Sequence, residues 1–547
     1  MRQALGGGVD GLAPNTIHAL YFMGPIVTLS DDGKVAWGRW HGIGMTGGLD
    51  AAADWAGGIY EIEYARTAAG WRIARQHYQP FLLGPYETGW RGAAPELPML
   101  PYHFKSAAQI GKSAVLGASV PAPAGAAAPG LAKLSGRVRA LADESAILRL
   151  QNIYGYYVDR RMWDDVADLF DASGSLSIAG IGAYTGTAGI RRALERDGPA
   201  GLRYGELNDH IQINVIVDIA PDGKTARARG FDLGMVGNND GPAFWSLVRF
   251  DNLLVKREGA WRYSQMRTAT KMRTNHALGW GRSWIAEAAP PAELAPDIPG
   301  AAPLPEGWAF EQQGRAGSRS GTLAEAQAAL WAAAAHDAIE NLAGAYGQYL
   351  DDGRWEDLGA IFTADGLRDS AGGGFIRGPA KIASISRSRY GGYNPKRGFT
   401  SMHIRAQPVI TIAADGRSAM ERTRLFQFLI GPEKMPPGKY ESGMLMTGSY
   451  EDDVAVEDGV WRFRRVDLDH LLYTLDYRHG WTRIPEGTGK LLDPPLGAIA
   501  GIKFDAPGLG DTYPPFPKVG HMWFHYRNPV SGREPEYLMP KRPLPEP

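Results

Sequence analysis

Three residue types able to move a proton recur in step along this chain. Tyr154, Asp159 and His210 form one set; Tyr346, Asp351 and His403 form a second at matching steps, each histidine about fifty residues after its aspartate. An imidazole held in one tautomer by a carboxylate, with a phenol alongside, can perform general acid–base work on an activated C–H bond with no cofactor and no metal. In that reading Asp159 orients His210, Asp351 orients His403, and Tyr154 and Tyr346 donate to the oxygen on which charge develops. Each residue also has a plainer reading: an aspartate exposed at a helix end, a tyrosine packed in a core, a structural histidine before a strand. The recurrence of the whole set is what favours chemistry.

The elements that must carry these residues are themselves repeated. Ala146–Phe170 aligns without a gap on Ala338–Phe362, and the run from His210 aligns likewise on the run from His403. Ile147, Leu150, Tyr154 and Tyr157 recur at helical spacing, as do Ile339, Leu342, Tyr346 and Tyr349, so a helix is expected before each aspartate. Tyr154 and Asp159, five residues apart, lie about 140° apart around a helix, so they flank a pocket only if the aspartate sits at the helix end. After each histidine the sequence turns to β-branched runs broken by Asp222–Gly223 or Asp415–Gly416, a hairpin signal, and each unit closes on Gly259–Ala260–Trp261 or Gly459–Val460–Trp461. Helices first and antiparallel strands afterwards give an α+β fold, a curved sheet on its helices.

A third copy, at the N-terminus, holds only the strand half. His18 precedes it, but lies two residues farther from its Asp32–Gly33 turn than the other histidines do from theirs. That implies either a bulge or a different residue at the equivalent place. The expected organisation is an incomplete unit over 1–110, an Ala/Pro/Gly linker over 111–136, a complete unit over 137–287, a Pro-rich linker over 288–322, a second complete unit over 323–490, and a Pro- and aromatic-rich tail over 491–547.

Composition narrows the chemistry further. There are no cysteines among 547 residues, so disulfides, thiolate metal sites and a cysteine nucleophile are excluded. The formal net charge of -1 gives no field that would favour nucleic acid or an anionic membrane. Neither complete unit shows the close His/His or His/Glu spacing of a metal site. Met1–Leu12 lacks the pattern of a signal peptide, so a cytoplasmic location is expected, with the caution that the chain starts in mid-repeat.

A helix written YxxxxD, then WxDLxxLF or a close variant, an H-x-x-x-N/P strand, an Asp-Gly hairpin and a closing G-x-W-R resembles the SnoaL-like group of the nuclear-transport-factor-two-like superfamily. The resemblance implies tandem cones, each a strongly curved antiparallel sheet around an apolar pocket closed by N-terminal helices. Because that group includes dehydratases, isomerases, lyases and non-catalytic binding modules, fold alone does not choose among them. The scytalone and bile-acid dehydratase branch is nearest, and it marks the two Tyr/Asp/His sets as catalytic. The implied activity is a cofactor-independent lyase of dehydratase type acting on a hydrophobic cyclic or aromatic hydroxy compound. Alternatives are a C–C lyase releasing a small aldehyde, a ketosteroid-type isomerase, and a small-molecule binding or assembly protein. Tyr157, Tyr349, Trp280 and Trp481 are candidates to touch substrate or cover the pocket mouth, with core packing as the plainer account. A homodimer through the first unit or the tail is expected, because three sheets, one incomplete, leave a face without a mate.

Overall fold

A computed structural model describes residues 11–89, 97–111, 128–300, 304, 323–369, 374–395, 400–430, 443–474, 477–481, 503–506, 516–519 and 522–536. The first unit is an antiparallel meander of β1 (Thr16–Leu29), β2 (Val35–Gly48), β3 (Ala53–Thr67) and β4 (Gly70–Pro85). The second opens with helices α1 (Ala128–Asp159) and α2 (Trp163–Asp168). It continues through β5 (Phe170–Ile178), β6 (Gly182–Thr185), helix α3 (Gly186–Glu195), β7 (Glu206–Ile219), β8 (Thr225–Asn238), β9 (Ala243–Arg257) and β10 (Ala260–Asn275). Its sheet order is β11-β6-β5-β10-β9-β8-β7, where β11 (Ile298–Pro299) comes from the stretch expected to be a linker. The third unit repeats the plan with α4 (Leu323–Asp351), α5 (Trp355–Ala360), β12 (Phe362–Asp369), β13 (Phe375–Arg377), α6 (Pro379–Tyr390), β14 (Thr400–Ile412), β15 (Ser418–Ile430), β16 (Met444–Glu457), β17 (Val460–Val466) and β18 (Leu468–Tyr473). Both complete units are α+β, with open sheets on N-terminal helices. Helix α1 begins at Ala128, inside the expected first linker, whose residues 112–127 lie outside the described ones.

The repeated Tyr-Gly step has a packing cause. A Cβ on Gly347 would stand 2.0 Å from the carbonyl oxygen of His403, and one on Gly155 would stand 3.0 Å from that of His210. Glycine lets each long helix lie directly on the strand that carries the histidine.

Strand alternation explains how three sheets share one molecule. Tyr21, Ile211 and Ile404 occupy matching places on β1, β7 and β14, and Ile43, Leu233 and Phe426 do so on β2, β8 and β15; all belong to a single buried core. The opposite faces of β7 and β8 carry His210 and Asp232 and look into their own unit. Each sheet therefore turns one face to a common centre, and in the two complete units the other face looks into that unit's own interior. Three inner faces mate with one another in that core, while β4 of the first unit keeps Trp71, Ile73 and Leu83 exposed.

The same registers settle the first unit. Antiparallel pairing shifts between Met23 and Ile26 on β1, between Ile213 and Ile216 on β7, and between Ala406 and Val409 on β14. Gly24, Asn214 and Gln407, all at positive φ, mark the matching bulges. With the bulges aligned, Leu20 stands where His210 and His403 stand, and His18 falls on the place of Asn208. His18 is exposed. The longer spacing thus reflects a different residue, and the first unit carries no histidine at the equivalent site.

The described part of the tail packs against both complete units. Met522, Phe524 and Tyr526 pack into the second unit's core, and His525 Nδ1 sits 2.7 Å from Glu451 of the third. No helix among the described residues is long and apolar enough to cross a membrane.

Candidate active site

The second unit encloses a cavity of about 280 Å³ between its sheet and its helices. Leu176, Ile178, Val248, Phe250 and Met266 line it with apolar surface; Tyr154, His210, Asp232 and Asp197 bring groups that titrate. The structure thereby brings Tyr154 and His210 into one hollow. Tyr154 makes no described hydrogen bond through its hydroxyl, and burial raises its pKa far above that of free phenol, keeping it a donor.

Asp159 does not hold the His210 ring. Its Oδ1 accepts the backbone N–H of His210 at 2.7 Å, and its Oδ2 is bound by the guanidinium of Arg424 from the third unit. The ring instead pairs with Asp232 on β8, Nδ1 to Oδ1 at 2.9 Å. Asp232 is fixed in turn: Gln212 donates to its Oδ2 at 2.9 Å, Gln151 donates to Gln212 at 2.8 Å, and Asn252 and Tyr263 donate to Gln151 at 3.0 and 2.8 Å. Burial opposes charge on His210, but Asp232, then Asp159 and Asp197, outweigh it and lift the imidazole to about 9. At neutral pH the ring is an imidazolium. Burial, despite Arg424, raises Asp159 to about 6.

Asp197 follows the last residue of α3 by two positions. It is crowded by protein yet keeps accessible surface because it opens on the cavity. Burial raises its pKa, while His210, Arg196 and Arg273 pull it down. Neither Asp197 nor Asp232 stood out in the sequence, because the third unit has Arg389 and Leu425 in their places.

The third unit keeps the letters and changes the arrangement. Asp351 does meet its histidine ring, Oδ1 to Nδ1 of His403 at 2.7 Å, but its Oδ2 also meets Nε2 of His41 from the first unit at 3.0 Å. Burial opposes the Asp351 charge, but the two rings outweigh it and hold the carboxyl below its ordinary value. Gln427 Nε2 lies 2.8 Å from His403 Nε2. Tyr346 accepts from Arg368 at 3.0 Å, so its oxygen is engaged. Around it Arg405 binds Asp452, donates to Thr423 at 2.8 Å and lies 4.0 Å over the Tyr450 ring. Arg368, Arg405, Asp452 and Tyr450 occupy the positions that Leu176, Gln212, Asn252 and Phe250 hold around the second cavity. All four are buried.

The expected substrate contacts lie elsewhere. Tyr157 packs against Phe524 of the tail, and Tyr349 against Tyr102 and Phe104. Trp280 donates to the carbonyl of Thr46 in the first unit at 2.8 Å, and Trp481 to that of Val236 in the second at 3.0 Å. Both indoles pin one unit to the next at matching places, and neither lines the second unit's cavity. Among the described residues no group of three or more His, Asp and Glu is placed to hold a metal ion.

An α+β cone whose hollow holds an imidazole–carboxylate pair and a phenol with no hydrogen bond among the described residues has the architecture of a small-molecule pocket. The SnoaL-like domain model matches residues 1–77, 139–267 and 331–467, more than half of the chain. The chain belongs to the SnoaL-like family, in tandem. It is similar to a putative scytalone dehydratase from Novosphingobium aromaticivorans, 21% identical over 25% of this chain and 84% of that one, TM-score 0.21. An NTF2-like protein with a cystatin-like fold from the same organism is 19% identical over 26% and 90%, TM-score 0.21. A hexachlorocyclohexane dehydrochlorinase, LinA type 2, is 19% identical over 28% and 97%, TM-score 0.23. No curated protein matches the chain.

Proposed function

We propose that the chain is a cofactor-independent lyase of dehydratase type, working in the second unit on a hydrophobic cyclic or aromatic hydroxy compound. One observation carries this reading: His210 with Asp232, the unengaged Tyr154 hydroxyl and Asp197 all line a single hollow with apolar walls. With its ring charged at neutral pH, His210 enters as the acid. It protonates the departing hydroxyl, and the C–O bond breaks to release water. Asp197, ionised, takes the proton from the neighbouring carbon, and that C–H pair becomes the new double bond. Tyr154 hydrogen-bonds the substrate oxygen that gains charge on the way. The proton then returns from Asp197 to His210 and restores the starting state. General acid–base action typically contributes 10²–10⁴-fold, with electrostatic stabilisation added to it.

Incubating the full chain with mixed cyclic hydroxy ketones and hydroxylated aromatics, followed by mass spectrometry, tests the reading. Loss of one water from a compound, abolished by His210→Gln, is the expected result. An unchanged mass with proton exchange identifies an isomerase, loss of an aldehyde a C–C lyase, and recovery of an unaltered bound compound a binding module. Each of those three outcomes overturns the proposal.

A further inference from the structure

One cation on the cavity wall has no hydrogen-bonded partner among the described residues. Three lining residues carry positive charge: His210 is paired with Asp232, Arg196 donates to Glu287 at 2.8 Å, and Arg273 has no described hydrogen bond or ion pair. Arg273 stacks 5.0 Å over the Phe244 ring, also on the cavity wall. Stacking fixes the plane of the guanidinium and leaves its N–H fork free for a planar anion.

Register shows how Arg273 relates to the chemistry. His210 pairs with Gly234, Gly234 with Ser246, and Ser246 with Arg273, one continuous row across β7, β8, β9 and β10. At about 4.8 Å per strand the two ends are about 14 Å apart along the sheet, less across its curve. Between them the floor is a glycine and a serine. A Cβ on Gly234 would come within 2.2 Å of Ser246 Oγ and 3.5 Å of His210 Cε1, so the low floor depends on glycine. The row is a shallow trough with an imidazolium at one end, an unpaired guanidinium at the other and apolar walls above. Asp197 lies within electrostatic reach of both ends without an ion pair to either.

We infer that the second cavity takes a cyclic carboxylate, with the acid group of the substrate held by Arg273 while the far side of its ring lies against His210. The carboxylate is a remote handle and takes no part in bond breaking. The inference rests on this cavity being the reacting site and adds the substrate's charge and direction.

Binding of benzoate, with benzamide as its neutral isostere, measured by calorimetry on the full chain at neutral pH, tests it. Wild type is expected to bind benzoate roughly tenfold to 100-fold more tightly than benzamide, the range of a charge-assisted hydrogen bond. Arg273→Gln erases that preference, Arg273→Lys keeps part of it, and His210→Asn keeps it. Equal affinities in wild type, absence of binding by either probe, a preference that survives Arg273→Gln, or one that vanishes only in His210→Asn would each overturn the inference. Turnover is not read here, so failure of the lyase reading and failure of the carboxylate reading give different results.

Discussion

The second and third units differ less in backbone than in what fills the hollow. In the second, polar groups form a chain along the wall, Asn252 to Gln151 to Gln212 to Asp232 to His210, and leave the middle open. In the third, two arginines replace Gln212 and Leu176 and reach into the middle, where Asp452 and the Tyr346 hydroxyl neutralise and solvate them. Leu425 replaces Asp232, so His403 has no carboxylate at that place on its neighbouring strand and turns to Asp351. A shared Tyr/Asp/His set thus borders an open hollow in one unit and stands among buried arginines in the other. What the third unit supplies is support: Arg424 binds Asp159, the carboxylate that holds the His210 backbone, and Gln407 accepts the N–H of Gln212 at 3.2 Å. The first unit does the same for the third through His41 and Asp351.

The largest expected effect separates the two hollows directly. On any compound the wild type converts, His210→Ala is expected to lower turnover by about 10²–10⁴-fold, the worth of a general acid, whereas His403→Ala leaves it within about threefold. Equal losses from both substitutions would mean that the filled interior of the third unit opens in solution. Next comes the support between units. Arg424→Met leaves Asp159 without its cationic partner among buried atoms and is expected to cost about 3–5 kcal/mol in urea unfolding. The same substitution is expected to weaken ligand binding in the second unit, although the residue belongs to the third. Unchanged stability would break the idea that one unit completes the next.

A smaller effect comes from His210 itself. Its folded pKa of about 9 lies above the ordinary 6.5, so its stabilising contribution is complete below about pH 6.5 and is lost as pH rises through 9. Asp232→Asn takes away the carboxylate that does most to hold the proton on the ring, and the pKa then falls toward the ordinary value. The wild type is expected to exceed this variant most at about pH 6, by roughly 2–3 kcal/mol, with the gap closing by about pH 9. Urea unfolding at several pH values, together with NMR titration of the imidazole, checks both statements. A gap that stays constant with pH would sever His210 from Asp232.

The sequence carried the repeat, the α+β order of elements and the Tyr154/His210 pair, because these depend on local period and recur without a gap. The residues it hid are those that distinguish the units. Asp232 and Asp197 fail a search for repetition since Leu425 and Arg389 replace them, and Arg424 meets Asp159 only through packing between units. Tyr157 and Tyr349 share the helical period of Tyr154, and period alone does not say which turn of a helix faces the hollow. Trp280 and Trp481 repeat because each performs the same task, joining one unit to the next.

The smallest expected effect concerns the residue that looked like a third copy of the catalytic histidine. In the second unit the side chain of Asn208 donates to the Val158 carbonyl of α1 at 2.9 Å, which ties the strand to the end of its helix. His18 occupies that place on β1, where no helix of the first unit stands above it among the described residues. Its ring is exposed and has no described hydrogen bond, so His18→Ala is expected to change unfolding free energy by no more than about 0.5 kcal/mol and to leave turnover unaltered. A loss of activity in that variant would require a reacting group on the first unit, and the aligned bulges at Gly24, Asn214 and Gln407 place Leu20, not a histidine, at the matching position.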